Sequence, residues 1–404
     1  MPGPLAGVRV IEIAQEIQGP YAGLFLADMG ATVIKVEKVG VGDLSRYMLV
    51  GRVAERFADG DVENPEFSHY FLAMNRGKRS ITLDLKKAEA QQVLYRFLDS
   101  ADVLLTNYRP GVLDRLGFGY EELRERNPRL IYAAGSSWGP DGPWRERPSR
   151  DTLAQAAGGI MAKNGMPDTH PVPCGALVAD HSGAITLLSG ILAALYARER
   201  TGRGQKVDAS IYGTMLALQP MEIDFTSLSG GVEPPRAGRG HPFLGAMWGA
   251  FRTKDGWICL AGVGEERWPG FCRVLGFDRT PFDDPMLRYR SAEALNELLD
   301  ELFPRRTTDE WLADLTAIDV LVSPIQDYRD ILGNEQALAN GYISEMDHPE
   351  VGKVKVVGNP VRLSETPLTT TAPPPELGQH SEEILLEEGF SWEEIAELRA
   401  KEAI

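Results

Sequence analysis

A chain of 404 residues, 43% hydrophobic and 25% charged, has an ordinary globular composition and is long enough for two domains, each with its own core. Its formal net charge of −16 argues against a nucleic-acid partner, since neutralising a phosphate backbone requires a basic face. The three cysteines, Cys174, Cys259 and Cys272, show no CxxC spacing and the six histidines are scattered, which argues against a metal site and predicts a reducing, cytoplasmic setting.

The opening "MPGPLAGVRVIEI" has no basic segment followed by an apolar one, so no signal peptide is expected. "GVRVIEI" (7–13) reads as a strand. "PYAGLFLADMG" (20–30) reads as a helix with proline in its first turn and glycine past its end. "ATVIKVE" (31–37), "RSITLDL" (79–85), "ADVLLTN" (101–107) and "PRLIYAAG" (128–135) are further strands, and "KKAEAQQVLYRFLDS" (86–100) has helical periodicity. Short apolar strands alternating with helices predict an α/β fold on a parallel, doubly wound sheet. The longest apolar run, within 184–197, is interrupted by Thr186, Ser189 and Gly190 and reads as too short and too polar to span a bilayer.

Beyond that run the character changes. "SGGVEPPRAGRGHP" (229–242) is a glycine- and proline-rich linker or binding loop, and "GAFRTKDGWICLAG" (249–262) reads as a hairpin turning at Lys254-Asp255-Gly256. These features delimit a large domain over 1–224, a small α+β domain over 225–325 and a return to the large domain over 326–404. The last stretch is proline-rich over 356–385 and ends in a helix over 391–403, where Ser391 and Glu394 have capping-box spacing.

Nucleotide motifs are missing where a doubly wound sheet would carry them. The first strand–helix junction, "IAQEIQGPYAG", has no GxGxxG. In "RGKRS" (76–80), Arg79 interrupts the Lys-Ser/Thr step of a phosphate loop, and "GSSWG" (135–139) is not a nucleophile elbow. Basic residues nevertheless cluster at strand ends: Lys35 and Lys38 flanking the end of the second strand, Arg76, Lys78 and Arg79 before the third, Arg109 and Arg115 after the fourth. Loops that follow parallel strands line the ligand crevice, so Lys38 and the Asn107–Arg115 loop are positioned to meet a phosphorylated ligand there.

The segments "PLAGVRVIEI", "GPYAGLFLADMGATVIKVE", "MNRGKRSITLDLK", "ADVLLTNYRPGVLDRLGFGYEEL", "NPRLIYAAGSSWGPDGPW", "AQAAGGIMAKNG" and "ADHSGAITLLSGILAALYARERTGRGQKVDASIY" occur in this order, with "LGQHSEEIL" near the end. Together they resemble the family III CoA-transferases, the group that includes formyl-CoA and carnitine CoA-transferases. The resemblance implies a Rossmann-like large domain built from both chain ends, a small domain between them, and two open rings interlocked into a homodimer. It implies no tightly bound cofactor, with coenzyme A or acyl-CoA acting as substrate alongside a small carboxylic acid, and neither nucleic acid nor membrane as partner. It also implies that the aspartate opening the long helix, Asp180 in "LVADHSGAI", attacks the acyl-CoA thioester. Implied CoA contacts fall on Gln18, Lys38, Lys78, Asn107, Tyr108 and Arg115, with Lys38 standing where formyl-type relatives have arginine. The region "GRGHPFLGAMWG" (238–249) is closer to the carnitine type.

A carboxylate nucleophile suits exchange of CoA between two acids, because it splits one transfer into anhydride and thioester steps. At a helix N-terminus Asp180 is expected to stay ionised, held by free amides and the macrodipole, although an aspartate there also fits a plain N-cap. Gly238, Gly240, His241 and Trp248 are candidates for substrate contact and for stabilising the oxyanion. Beside Asp180, His181 reads as a packing or substrate contact. One rival is an α-methylacyl-CoA racemase, whose second acid/base is a histidine at the place of Arg150 in "PSRDTLAQAAGG"; arginine cannot shuttle a proton at neutral pH. A second rival is a non-catalytic subunit of a heteromeric CoA-transferase, against which Asp180 itself argues.

Overall fold

The computed structural model describes residues 2–48, 68–350, 352–368 and 372–404. The chain separates into two compact units. One comprises Met1–Gly158, Gly175–Leu218 and Asn334–Ile404; the other comprises Gly159–Cys174 and Gln219–Gly333. Gly159–Cys174, inside the span expected for the large domain, therefore groups with the second unit.

The first unit is built on a six-stranded sheet of β1 (Arg9–Ile13), β2 (Thr32–Glu37), β3 (Arg79–Thr82), β4 (Val103–Thr106), β5 (Ile131–Ser136) and β6 (Lys206–Ser210). The strand order is β3-β2-β1-β4-β5-β6 and every neighbouring pair is parallel. Strand side chains alternate between faces, so the central strands β1, β2, β4 and β5 each serve two cores. On one face Ile11, Ile13, Ile34, Ile81 and Leu104 pack with Val93, Leu94 and Phe97 of the helix Ala88–Ser100 and with Ile384 and Leu398 from the C-terminal helices. On the other, Val10, Val33, Val103, Leu105 and Ile131 pack with Phe25 and Leu26 of α1 (Gln18–Asp28) and with Leu187, Ile191 and Leu195 of a long helix, Val178–Thr201. The C-terminal helix Trp392–Ala400 starts with the expected capping box of Ser391 and Glu394.

That long helix corrects the reading of the apolar run. It spans 24 residues and by length and composition alone reaches across a bilayer, yet 44% of its most apolar stretch is buried within the chain. β6 had no counterpart among the predicted strands. "KVDAS" is an edge strand with one buried residue, Ala209, so its composition carries no apolar run.

The second unit has its own core around an antiparallel sheet of β7 (Trp248–Arg252), β8 (Trp257–Ala261) and β9 (Val322–Pro324). The β7–β8 pair is the hairpin predicted over 249–262. Phe251, Ile258 and Leu260 pack there against Trp268, Phe271, Leu295, Leu299 and Trp311 from the helices that follow.

In the first unit the strand order reverses between β1 and β4, where the loops leaving their carboxyl ends diverge to opposite sides. Ligands of open parallel sheets bind in that crevice.

Candidate active site

A cleft of about 1370 Å³ opens there, larger than the roughly 300–1,000 Å³ of most small-ligand pockets. It is lined by the loop after β1 (Gln15 to Gln18), the loop after β4 (Asn107 to Arg109), Ser136 and Ser137 at the end of β5, Tyr70, the segment Pro148 to Leu153, and Asp180.

The loops after β1 and β4 are tied to one another. Asn107 Nδ2 donates to the Gln15 carbonyl at 2.7 Å, and the Gln15 amide donates to Asn107 Oδ1 at 2.9 Å. Gln15 Nε2 also donates to Tyr108 Oη at 3.3 Å. Gln18 is buried, its Nε2 donating to the Ala209 carbonyl at 3.4 Å. A Cβ at position 135 would lie 2.6 Å from Gln18 Oε1, so Gly135 makes room for that side chain. Glu16 adopts a left-handed conformation with φ of 63°, held by donation of its amide to Asp43 Oδ1 at 3.1 Å.

Asp180 is the third residue of the helix Val178–Thr201, whose N-cap, Leu177, supplies no side-chain cap. The cap comes instead from Asp151, at the start of the helix Asp151–Ala157. Asp151 Oδ2 accepts from the amides of Ala179 at 2.8 Å and Asp180 at 3.0 Å, and its Oδ1 accepts from Gln155 Nε2 at 2.5 Å. Relieved of capping, the Asp180 carboxylate has no hydrogen-bond or ion-pair partner among the described residues and lines the cleft.

The expectation that Asp180 stays fully ionised is corrected by its surroundings. Burial, then the charges of Asp151 and Glu16, push its carboxyl up to about 7, against the opposing pull of Arg150. The helix amides that would hold its charge are spent on Asp151. Tyr70 feels the same field: burial, Glu16 and Asp180 hold its phenol above the usual tyrosine range. Across the cleft, Arg150 Nη1 donates to Glu16 Oε2 at 2.6 Å.

The implied CoA contacts divide. Gln18, Asn107 and Tyr108 line the cleft with Asp180, whereas Lys38, Lys78 and Arg115 do not. Lys38 and Arg115 are exposed. Lys78 is fully buried, and its ammonium donates to Pro20 O at 2.8 Å and Asn75 Oδ1 at 2.9 Å while lying 2.8 Å from Glu12 Oε2. All three of its protons are engaged, so it has none left for a phosphate. Burial brings this ammonium down to about 8, with Glu12 opposing. Glu12 also meets Lys35, its register partner, at 2.9 Å, and Lys35 lies 2.8 Å from Asp43. A Cβ at position 23 would lie 2.0 Å from Glu12 Oε2, so the glycine of α1 admits the network.

Gly238, Gly240, His241 and Trp248 belong to the second unit. The amides of Gly238 and Gly240 donate to the carbonyls of Gly165 at 3.2 Å and Ala237 at 3.1 Å, so neither is free as an oxyanion donor. His241 Nδ1 accepts from the Phe243 amide at 3.3 Å, which leaves its proton on Nε2, 2.8 Å from Glu222 Oε1. Trp248 pairs with Ala261 in the β7–β8 ladder. His181 packs edge-to-face on Tyr21 with centroids 4.9 Å apart, and its Nδ1 lies 2.8 Å from the Leu177 carbonyl, a bond that requires the proton on Nδ1. No cluster suited to a metal ion occurs among the described residues.

Asp151 and Glu16 are the residues that sequence reasoning missed. Asp151 acts on Asp180 through a contact between positions 29 apart, and Glu16 is distinguished only by its backbone conformation.

The arrangement is one in which a family assignment has chemical content. The model of CoA-transferase family III matches residues 5–381. The chain is 36% identical to an acyl-CoA transferase of Fusarium pseudograminearum, covering 98% of this chain and 87% of that one. It is 31% identical to human succinyl-CoA:glutarate CoA-transferase, over 95% and 86%, and 34% identical to formyl-CoA:oxalate CoA-transferase of Bradyrhizobium sp. (strain ORS 278), over 99% and 97%. A CAIB/BAIF family protein of Brucella suis with a solved crystal structure superposes with a TM-score of 0.84 at 32% identity, covering 96% of this chain and all of that one. The chain belongs to CoA-transferase family III and is an enzyme that transfers CoA.

Proposed function

We propose that the enzyme moves CoA from an acyl-CoA donor to a free carboxylic acid, with Asp180 as the covalent nucleophile. The observation that carries this reading is the unengaged Asp180 carboxylate in the large switch-point cleft, its helix capped by Asp151. An Asp180 oxygen attacks the thioester carbonyl, the C–S bond breaks, and a mixed anhydride and CoA thiolate form. The thiolate then attacks the aspartyl carbonyl, releasing the donor acid as its carboxylate and leaving an aspartyl-CoA thioester. The acceptor carboxylate attacks that thioester, expelling thiolate and forming a second anhydride. Attack of the thiolate on the acceptor carbonyl yields the new acyl-CoA and restores Asp180. No proton is gained or lost over the cycle, and the reacting form of Asp180 is its carboxylate.

Gln18, Asn107 and Tyr108 are the CoA contacts retained in this reading, with Arg109 beside them in the cleft. CoA serves as substrate and no tightly bound cofactor takes part. The working unit is an interlocked homodimer. In its favour, the long helix exposes Ile185 and Tyr196, and in the other unit Met221, Phe225 and Leu228 of the helix Pro220–Leu228 are exposed, faces that a second copy would cover. Free Cys259 and Cys272 favour a cytoplasmic setting.

Hydroxylamine added during turnover with an acyl-CoA and an acid tests the mechanism. Mass spectrometry should find a hydroxamate on the peptide carrying Asp180. Turnover without that adduct removes the covalent route. Exchange of the α-proton of a 2-methylacyl-CoA for deuterium, without transfer, would make the protein an isomerase. Activity appearing only on mixing with a related chain would make it a partner subunit.

A further inference from the structure

Among the described residues that line the cleft, Glu16 alone has a left-handed backbone, with φ of 63°. A residue with a Cβ adopts that conformation at a cost, so its neighbours must impose it. Both peptide units that lead into Glu16 are gripped at each end by side chains from other elements. In the Ala14–Gln15 unit the carbonyl accepts from Lys35 Nζ at 3.0 Å and the amide donates to Asn107 Oδ1 at 2.9 Å. In the Gln15–Glu16 unit the carbonyl accepts from Asn107 Nδ2 at 2.7 Å and the amide donates to Asp43 Oδ1 at 3.1 Å. Asp43 is buried and held in turn, its Oδ2 2.8 Å from Lys35 and its own amide donating to Glu37 Oε1 at 2.9 Å. It is not part of the cleft lining. One ammonium, that of Lys35, thus fixes the Ala14 carbonyl directly and the Glu16 amide through Asp43.

We infer that Asp43, seated on Lys35 outside the cleft, is a positioning residue of the active site: it holds Glu16 in its left-handed conformation, and so keeps the Glu16 carboxylate where its charge acts on Asp180. The inference rests on the CoA-transferase reading above for what Asp180 does. Glu16 Oε2 accepts from Arg150 Nη1 at 2.6 Å, and the charges acting on the Asp180 carboxyl are those of Asp151, Glu16 and Arg150. Tyr70 feels both Glu16 and Asp180. Asp43 is absent from the groups that act on Asp180, so its influence must pass through Glu16. The charge has a use. An ordinary aspartate is a weaker base than a thiolate by roughly 4–5 pH units, so its attack on a thioester runs uphill. Negative charge kept near Asp180 raises its basicity and narrows that gap. If the Glu16 backbone relaxed, its carboxylate would be carried away and the gap would widen.

The experiment follows the pH midpoint of Asp180 in the resting enzyme. A water-soluble carbodiimide with glycine ethyl ester modifies only protonated carboxyls, and mass spectrometry reads the rate of labelling at Asp180 against pH. From about 7 in the intact enzyme, Glu16→Gln should lower the midpoint by about half to one pH unit. Asp43→Ala, which leaves Glu16 in place but frees its amide, should lower it by a similar amount. Asp43→Asn keeps an acceptor for that amide and should lower it less. It also supplies the comparison if circular dichroism shows Asp43→Ala to be unfolded. Combined with Glu16→Gln, either Asp43 variant should add nothing further. A midpoint unmoved in both folded Asp43 variants overturns the inference. So does an Asp43 shift that persists in full beside Glu16→Gln, since Asp43 would then act by its own charge. Labelling needs no turnover, so failure of CoA transfer and failure of this assignment read out separately.

Discussion

Charged side chains gather twice near the carboxyl ends of β1 and β2, to opposite effect. Beneath the β1 loop, Glu12, Lys35, Lys78 and Asp43 are fully buried and mutually paired, and Glu37 extends the network to Arg46 at 2.7 Å and Ser80 at 2.6 Å. In the cleft above, Glu16, Arg150, Asp151 and Asp180 bring three carboxylates to one guanidinium, and Asp180 is left over. The first cluster divides its two lysines: burial opposes the charge of Lys35, but Glu12, Asp43 and Glu37 outweigh it and hold the ammonium above the ordinary lysine range, whereas at Lys78 burial outweighs Glu12 and brings the ammonium down to about 8. In the second, burial first and then the repulsion of Asp151 and Glu16 raise the Asp180 carboxyl. Asp43 joins them, accepting the Glu16 amide with one oxygen and facing Lys35 with the other. Closed networks position; the open one is left with a reactive group.

The largest effect should come from removing the odd carboxylate. Asp180→Ala is expected to lower transfer by at least about a thousandfold in a steady-state exchange assay. CoA binding, read by calorimetry, should persist, because the proposed CoA contacts Gln18, Asn107 and Tyr108 are untouched. Retained turnover would mean that the open cluster is not the reacting one. The matching cut in the closed cluster should act on stability. Glu12→Gln leaves Lys35 and Lys78 without their shared counter-charge, and urea unfolding should report a loss of about 3–5 kcal/mol. If this change proved nearly neutral, the contrast between the clusters would collapse.

Asp180 should also cost the protein stability, and pH separates that cost from other effects. Its folded carboxyl titrates at about 7, above the ordinary aspartate value near 4. Between those values the folded state keeps a proton that the unfolded chain has lost, so stability falls as pH rises through this window. Asp180→Asn removes the burden. It should stabilise the protein by about 1–3 kcal/mol at pH 8 and by almost nothing at pH 4. Equal thermal shifts at the two pH values would show that charge is not the cause.

How much of this was legible in the sequence follows from the range of the interactions. The parallel sheet could be read because each buried strand announces itself in a few consecutive apolar residues; β6 escaped because an edge strand need not be apolar. Asp180 stood out by its segment, but the choice between cap and nucleophile could not be made locally, since the cap is Asp151 from another helix. Lys78 misled for a related reason. A lysine in "NRGKRS" looks like a surface cation until Glu12, 66 residues earlier, is seen to face it inside the sheet. Arg150 was visible as a departure from the racemase pattern, whereas its partner Glu16 was not, because a left-handed backbone leaves no mark in composition.

The smallest expected effect is the most specific to the open cluster. Asp151 acts on Asp180 in two ways: its oxygen fixes the first turn of the helix, and its charge raises the neighbouring carboxyl. Asp151→Asn keeps an oxygen to accept from the amides of Ala179 and Asp180, and removes the charge together with the acceptor for Gln155 Nε2. On the proposed mechanism the carboxylate of Asp180 is the reacting form, so donor kcat/KM in the unaltered enzyme should rise with pH through about 7. In Asp151→Asn that rise should move down by about half to one pH unit, with the plateau rate little changed. A lower plateau with an unmoved pH profile would assign Asp151 to geometry alone. A profile shifted downward would mean that the same carboxylate that frees Asp180 from capping also sets the pH at which it can attack.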